Sequence, residues 1–386
     1  MLLDAISEKI QSRARELGFE LCGLAAVDAL PGEKEFAEWI GQGCAGEMGY
    51  LAARNEQGLL KRAAVANAAP WARSAIVCAA SYHDPNQPLS IDCHESDRGW
   101  ISRYAWAERD YHDVLLPKLR DLESTVLAES AALKSPVSAE SGTGAEAVRT
   151  WCYVDTGPVR EKALAAQAGL GWQGKNSCLI HPKLGSWLFL GVILCSLELE
   201  SSAAPQTDRC GSCRRCLEAC PTQALVAPGV LDARRCLAYL TVELKDAIPE
   251  ELRPGLGRNV YGCDICQDVC PWNRRAAAAT APGVAARTEV VNPQLGLLSD
   301  MNKEAFRARF GRSALRRRKL AGLLRSTAIA MGNSGDARFR PRLEQMAAQT
   351  EDTVLAAHAL WALERLAEPE EAATTPAADA GKAGGQ

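Results

Sequence analysis

The chain has 386 residues, 47% of them hydrophobic, with a formal net charge of -3. That length accommodates two or three domains with sizeable cores, and the near-neutral balance excludes a chain that binds nucleic acid through bulk charge, so any basic surface must be local. The 15 cysteines are the outlier. A secreted disulfide scaffold is normally short and follows a signal peptide, whereas the first twenty residues read as a mixed-charge amphipathic helix with no apolar core segment. The longest apolar run, "SWLFLGVILCSLELE", is too short to span a bilayer. The reading is a cytoplasmic protein with reduced thiols and no membrane association.

In chain order, residues 3–17 show helical spacing and "FELCGLAAV" follows as a strand. "SAIVCAASY" (74–82) is a second strand, and "DYHDVLLPKLRDLESTVLAESAAL" a long amphipathic helix. "SPVSAESGTGAEA" reads as a polar loop and "TWCYVDTG" as a strand ending in a turn. Asp155 and Pro158 form a helix-start signal for "VREKALAAQA", and "SWLFLGVILCSLEL" is a further buried strand. These elements predict an α/β N-terminal domain over residues 1–200. Residues 201–280 form a cysteine-dense module with little apolar mass, of the kind held together by metal. An Ala- and Pro-rich linker, "RRAAAATAPGVAARTEVVNP", leads into helices over 281–366 whose punctuation resembles paired HEAT-type hairpins. Two such units are few, so they are expected to dock on the rest of the chain, and a monomer is expected. Residues 367–386 read as a disordered tail.

The cysteine spacing carries the strongest chemistry. "RCGSCRRCLEACP" places Cys210, Cys213, Cys216 and Cys220 at x2, x2 and x3 gaps before a proline, the run of bacterial two-cluster ferredoxins. The fourth cysteine of such a run ligates the other cluster, so Cys210, Cys213 and Cys216 pair with Cys270, and Cys220 joins Cys263 and Cys266. The second run, "YGCDICQDVCPWN", has Val260 where its first cysteine would stand; Cys236 is assigned as the missing ligand. Eight cysteines then give two [4Fe–4S] clusters, with two zinc sites the competing arrangement. Cys22, Cys44, Cys78, Cys93, Cys152, Cys178 and Cys195 lack such spacing and read as small buried hydrophobes.

Two motifs fail on inspection. "GLGWQGKN" (169–176) lacks the Ser/Thr of a phosphate loop and follows a helix rather than a strand. "DYHDVL" (110–115) begins a cobalamin-ligating Asp-x-His-x-x-Gly pattern, but Leu115 replaces the glycine; His112 reads as a helix-face histidine. Asp155 has two readings: an N-cap for the following helix, or a carboxyl at a strand end able to give up a proton.

The ordered set "ISRYAWAERDYHDVL", "VDTGPVREKALAAQAGLGWQGKNSCLI", "GSWLFLGVIL", "CGSCRRCLEACPTQAL", "RRCLAYLTVELK" and "YGCDICQDVCPWN" resembles epoxyqueuosine reductases over residues 1–365. The resemblance implies an oxidoreductase with a nitroreductase-like, cobalamin-binding α+β domain, a ferredoxin-like domain with two [4Fe–4S] clusters and an all-α HEAT-like domain. It implies removal of the epoxide oxygen from epoxyqueuosine at the wobble position of tRNA, driven by a low-potential electron donor. Asp155 matches the family's proton donor. Arg62, Tyr104, Asp110, Asn176, Ser177, Asp264 and Ile265 match its cobalamin contacts, with no protein ligand on cobalt. Lys162, Glu243, Leu244 and Lys245 match segments that meet tRNA, Lys162 standing where arginine is usual. The loop around residues 131–146 is longer than is typical.

Nine Lys or Arg against Glu304 alone lie between residues 301 and 325, and Arg316, Arg317, Arg318 and Lys319 are taken as phosphate contacts. Rival readings are a dehalogenase-like corrinoid reductase of small molecules, a two-cluster electron carrier, and a flavin site in the N-terminal domain.

Overall fold

The computed structural model describes residues 2–28, 30–132 and 147–367. The long loop and the tail singled out in the sequence lie outside the described residues. The first segment contains α1 (Leu2–Glu16), β1 (Leu21–Ala26), α2 (Glu33–Gly41), α3 (Val65–Ala68), β2 (Ser74–Ser81), β3 (Trp100–Ile101), α4 (Tyr111–Ala132), β4 (Thr150–Tyr153), α5 (Glu161–Gln167), β5 (Trp172–Gln173), β6 (Leu179–Ile180) and β7 (Leu188–Cys195).

The main sheet has the order β1-β2-β7-β4, and each of its three pairings is antiparallel. This corrects the α/β expectation to α+β. Both sheet faces are covered. Ile76, Cys78, Ala80, Ile193 and Cys195 point to one side, against α1 and α4, in a core with Ile10, Leu115 and Leu119. Ala75, Val77, Ala79, Val192 and Leu194 point to the other, in a core with Leu164 and Ala165 of α5. Residues i and i+2 of a strand share a face, so a strand buried on both sides shows a continuous apolar run with no alternation. Cys78 and Cys195 are fully buried, and Cys22 and Cys152 pack against the same core, as small hydrophobes would.

The cysteine module follows with α6 (Arg215–Glu218), β8 (Leu225–Ala227), β9 (Val230–Leu231), α7 (Leu237–Val242), β10 (Asn259–Tyr261) and α8 (Ile265–Asp268). β10 pairs in parallel with β3 and so joins this module to the N-terminal segment. The linker is not free: Ala281 and Val284 enter the N-terminal core, and Glu20 Oε1 accepts from the Thr280 and Ala281 amides at 2.9 and 3.0 Å. Beyond it lie α9 (Leu295–Ser299), α10 (Lys303–Phe310), α11 (Lys319–Asn333), α12 (Arg340–Gln349) and α13 (Thr353–Arg365). α13 packs on α11 and α12, and their apolar faces share one core with Leu237, Leu240 and Val260 of the cysteine module. Docking in cis is what so short a helical array needs. No helix among the described residues is long and apolar enough to cross a membrane.

Candidate active site

Cys210, Cys213, Cys216 and Cys270 line one cavity of about 270 Å³, with Lys175 and Trp272 on its wall. Lys175 Nζ donates to the Gly211 and Cys213 carbonyls, at 2.5 and 3.0 Å, and fixes the ligand loop. Cys220, Cys236, Cys263 and Cys266 form the second group. The Cys263 thiol lies within electrostatic range of Cys236 and Cys220, and Cys266 of Cys263 and Cys236. Burial pushes Cys263 and Cys266 well above the ordinary thiol value, so a cation must be bound for these sulfurs to be thiolates. Among the described residues no three His, Cys, Asp or Glu side chains converge closely enough for a single metal ion.

Cys178 departs from the buried-hydrophobe expectation. It is half-buried, its Sγ donates to Gln267 Oε1 at 3.5 Å, and it acts electrostatically on Cys270 and Cys266, one from each group.

The Asp155 turn lies beside α4. After β4 the backbone reverses at Asp155 with a φ of 59°, in the left-handed region that non-glycine residues adopt only when the surroundings demand it. Glu161 Oε1 accepts the Asp155 backbone N–H at 2.8 Å and holds that conformation. Asp155 is not an N-cap: α5 starts at Glu161 with Arg160 as its capping position and no side-chain cap. The Asp155 side chain is instead 57% exposed, and Tyr111 OH donates to its Oδ2 at 2.9 Å. Burial, together with the Asp155 charge, pushes the Glu161 carboxyl up to about 8, against the pull of Arg62 and Lys162. Burial and Asp155 also raise Tyr111, which therefore stays a protonated donor.

An aromatic wall extends from this turn. The Tyr111 ring stacks on Phe189 at 4.4 Å, meets Tyr104 at 6.2 Å, and Tyr104 meets Tyr261 at 5.9 Å. Tyr261 leads through Gly262 into the second cysteine run. Asp264 is buried there and its carboxylate accepts from Trp100 Nε1, Ser102 Oγ and the Arg103 amide, at 2.9, 2.5 and 2.8 Å. It faces inward, tying the cluster loop to β3, while Ile265 remains half-exposed. Asp110 also faces inward. It is 1% exposed, with His112 Nδ1 at 2.7 Å and Arg317 Nη2 at 3.1 Å. Burial alone would raise its pKa, but the His112 hydrogen bond and the Arg317 charge hold it at about 2.

On the facing side Lys162 Nζ donates to the Ser177 carbonyl at 2.8 Å, and Ser177 has a φ of 61°. Asn176 Oδ1 accepts from the Cys178 amide at 3.2 Å, while its Nδ2 is buried without a partner. Arg62 Nη1 donates to the Val159 carbonyl at 3.0 Å behind the Asp155 turn.

The basic run is less free than its sequence suggests. Arg316 meets Asp113 at 3.1 Å and Arg317 meets Asp110. Arg318 is 8% exposed and donates to the Leu244 carbonyl, so neither it nor the buried Leu244 presents a side chain to a partner. Of the four basic residues Arg318 is thus turned inward, while Arg316, Arg317 and Lys319 stay exposed. Lys319 and Lys245 are exposed and Glu243 is half-buried. The sequence reading missed Tyr111, Glu161 and Cys178 and set His112 aside. Each adjoins a quoted motif, which was the available signal.

Comparison with known proteins places these features in context. Residues 209–273 match a 4Fe–4S double cluster binding domain, and residues 62–156 match the family described as epoxyqueuosine reductase QueG, DUF1730. The epoxyqueuosine reductase of Pseudomonas aeruginosa is 36% identical over 362 residues, 93% of this chain and 94% of that one. A crystal structure of an epoxyqueuosine reductase with an epoxyqueuosine-modified tRNA-Tyr stem loop superposes with a TM-score of 0.79 at 29% identity, covering 95% of this chain and 91% of that one. The Bacillus subtilis enzyme, described with its catalytic aspartate loop swung out of the active site, gives 0.78 at 28% identity, covering 94% and 91%.

Proposed function

The chain belongs to the epoxyqueuosine reductase family, an oxidoreductase family acting on epoxyqueuosine in tRNA, and from that premise we propose that Asp155 is its proton donor and cobalamin its reducing cofactor. The observation that carries this reading is the exposed Asp155 carboxyl, held on a left-handed turn by Glu161 and Tyr111. Such strain persists where the surrounding structure enforces it, which is common at catalytic sites. The description of a catalytic aspartate loop in the Bacillus subtilis relative supports an aspartate in this role.

Conversion of an epoxide to an alkene removes the oxygen as water and takes two electrons and two protons. Cys210, Cys213, Cys216 and Cys270 would ligate one [4Fe–4S] cluster, and Cys220, Cys236, Cys263 and Cys266 the other. The four-cysteine cavity fits the first. Single electrons from an external low-potential donor would pass through them.

The residues present also fit a corrinoid. Tyr104, Ser177 and Ile265 are half-exposed and free to meet a ligand, and the partnerless Asn176 amide is a donor in want of an acceptor. The side chains of Arg62, Asp110 and Asp264 are engaged within the protein and would hold their own segments in place. When bound, cobalamin would supply a strongly reducing cobalt centre at the site. The chain's own part is positional. Tyr111 and Glu161 aim the Asp155 carboxyl, which gives its proton to the oxygen as the C–O bonds break.

tRNA would be gripped from outside the site by Lys162, Glu243, Lys245, Lys319 and the exposed parts of Arg316 and Arg317, with the target base turned out of its stack. The structure with a tRNA stem loop supports this partner. A monomer suffices, since the C-terminal helices bury their faces in cis. The test is a single-turnover comparison with epoxyqueuosine-containing tRNA: Asp155→Asn, with iron content and cobalamin affinity unchanged, should lose at least about 100-fold in rate. Wild-type rate in that variant would remove Asp155 from the mechanism.

A further inference from the structure

The reaction takes up two protons, and the Asp155 carboxyl holds one at a time. A second titratable ring stands beside it. His112, in the first turn of α4, has Nδ1 2.7 Å from Asp110 Oδ1 and Nε2 3.8 Å from Asp155 Oδ2. The same Asp110 oxygen also accepts the His112 backbone N–H at 3.2 Å, so ring and backbone are pinned by one buried carboxylate. A buried carboxylate on Nδ1 selects the tautomer that leaves Nε2 to exchange protons. This is the arrangement in which an inner aspartate orients a histidine without itself being protonated. Asp110 stays ionised across the neutral range.

Charged groups surround His112: Arg109, Asp113, Arg120, Arg312 and Arg316 line the same cavity. Arg317 Nη2 lies 3.0 Å from Nδ1 and completes the ionised group around Asp110. Arg316 bridges Asp110 and Asp113 on the outer side. The Tyr111 ring lies 4.1 Å from the imidazole, and its phenol, which stays protonated, donates to Asp155. Among these, His112 is the group whose ring can both take up and release a proton and that also faces Asp155.

We propose that His112, oriented by Asp110, is the positioning residue that recharges Asp155, passing it the second proton of the reaction. This rests on Asp155 being the donor. Two electrons arrive from the external reductant. Asp155 gives one proton to the departing oxygen and becomes a carboxylate; the imidazolium returns a proton from Nε2 to Asp155; Asp155 passes it on, and water leaves as the alkene forms. His112 recovers its proton from solvent.

The test has two readouts. The first is the His112 titration followed by NMR of 13Cε1-histidine in cluster-loaded protein without cobalamin, comparing wild type with Asp155→Asn. Coupling predicts that loss of the Asp155 charge lowers the His112 midpoint by about half a pH unit or more. An unmoved midpoint overturns the relay, whatever any His112 variant does. The second is the single-turnover rate of His112→Asn from about pH 5.5 to 8.5. Asparagine can keep the hydrogen bond to Asp110 but has no nitrogen in the Nε2 position. The relay predicts a roughly 10- to 100-fold slower rate near neutrality and loss of the wild type's decline through the histidine range. Wild-type rate and profile in His112→Asn, with Asp155→Asn inactive, overturns the relay alone. Full activity in Asp155→Asn overturns the donor assignment and the relay with it.

Discussion

Glu161 offers a sharp test of the electrostatics behind the Asp155 turn. Its carboxyl sits at about 8 in the fold against an ordinary value of 4.5, chiefly because it is buried. The folded protein therefore holds a proton that the unfolded chain releases above pH 4.5, and stability falls as pH rises from there until Glu161 itself ionises. At ~1.4 kcal/mol per pH unit, the penalty is about 2 kcal/mol at pH 6 and about 5 kcal/mol above pH 8. Glu161→Gln removes the titration and keeps an oxygen to accept the Asp155 N–H. The variant should match wild type near pH 4.5 and exceed it by a margin that widens to about pH 8. Thermal or denaturant midpoints of both proteins at three pH values measure that margin. A gap that is the same at pH 6 and pH 8.5 would refute a neutral, buried Glu161.

Cys213→Ala and Cys266→Ala should each lose about half the bound iron while the other cluster's spectroscopic signature survives, and Cys178→Ser should lose none. Gly157→Ala would place a Cβ 2.1 Å from the Tyr153 ring, so it should destabilise by about 1–3 kcal/mol and, by shifting the Asp155 turn, slow the reaction more than it weakens tRNA binding. Arg318→Met should change tRNA affinity less than about twofold because that guanidinium is internal. Lys319→Ala should weaken tRNA binding and reduce the salt dependence by about one unit of slope.

The sequence revealed the strands, the long α4 and the grouping of Cys210, Cys213 and Cys216 with Cys270, because periodicity and ligand spacing are local signals. Sheet direction was not legible. "SAIVCAAS" is buried on both faces, and such a strand reads alike in parallel and antiparallel sheets. The partners of the basic run were not legible for a related reason. Whether Arg317 is a free charge depends on Asp110, 207 residues away, and whether Arg318 is exposed depends on how α11 meets α7. His112 was judged as a failed metal ligand because the motif supplied that question; its neighbours Asp110 and Asp155 are joined only by the fold. Glu161 is an acid in the first turn of α5 whose burial beneath the Asp155 turn the sequence pattern does not show.

The most direct test of the central claim is the mass of the modified nucleoside. Protein with both clusters reconstituted would be incubated anaerobically with cobalamin, a strong reductant and epoxyqueuosine-containing tRNA, and the tRNA digested. The account predicts loss of one oxygen from the nucleoside, dependent on cobalamin. An unchanged mass, with both clusters intact and cobalamin bound, would contradict it.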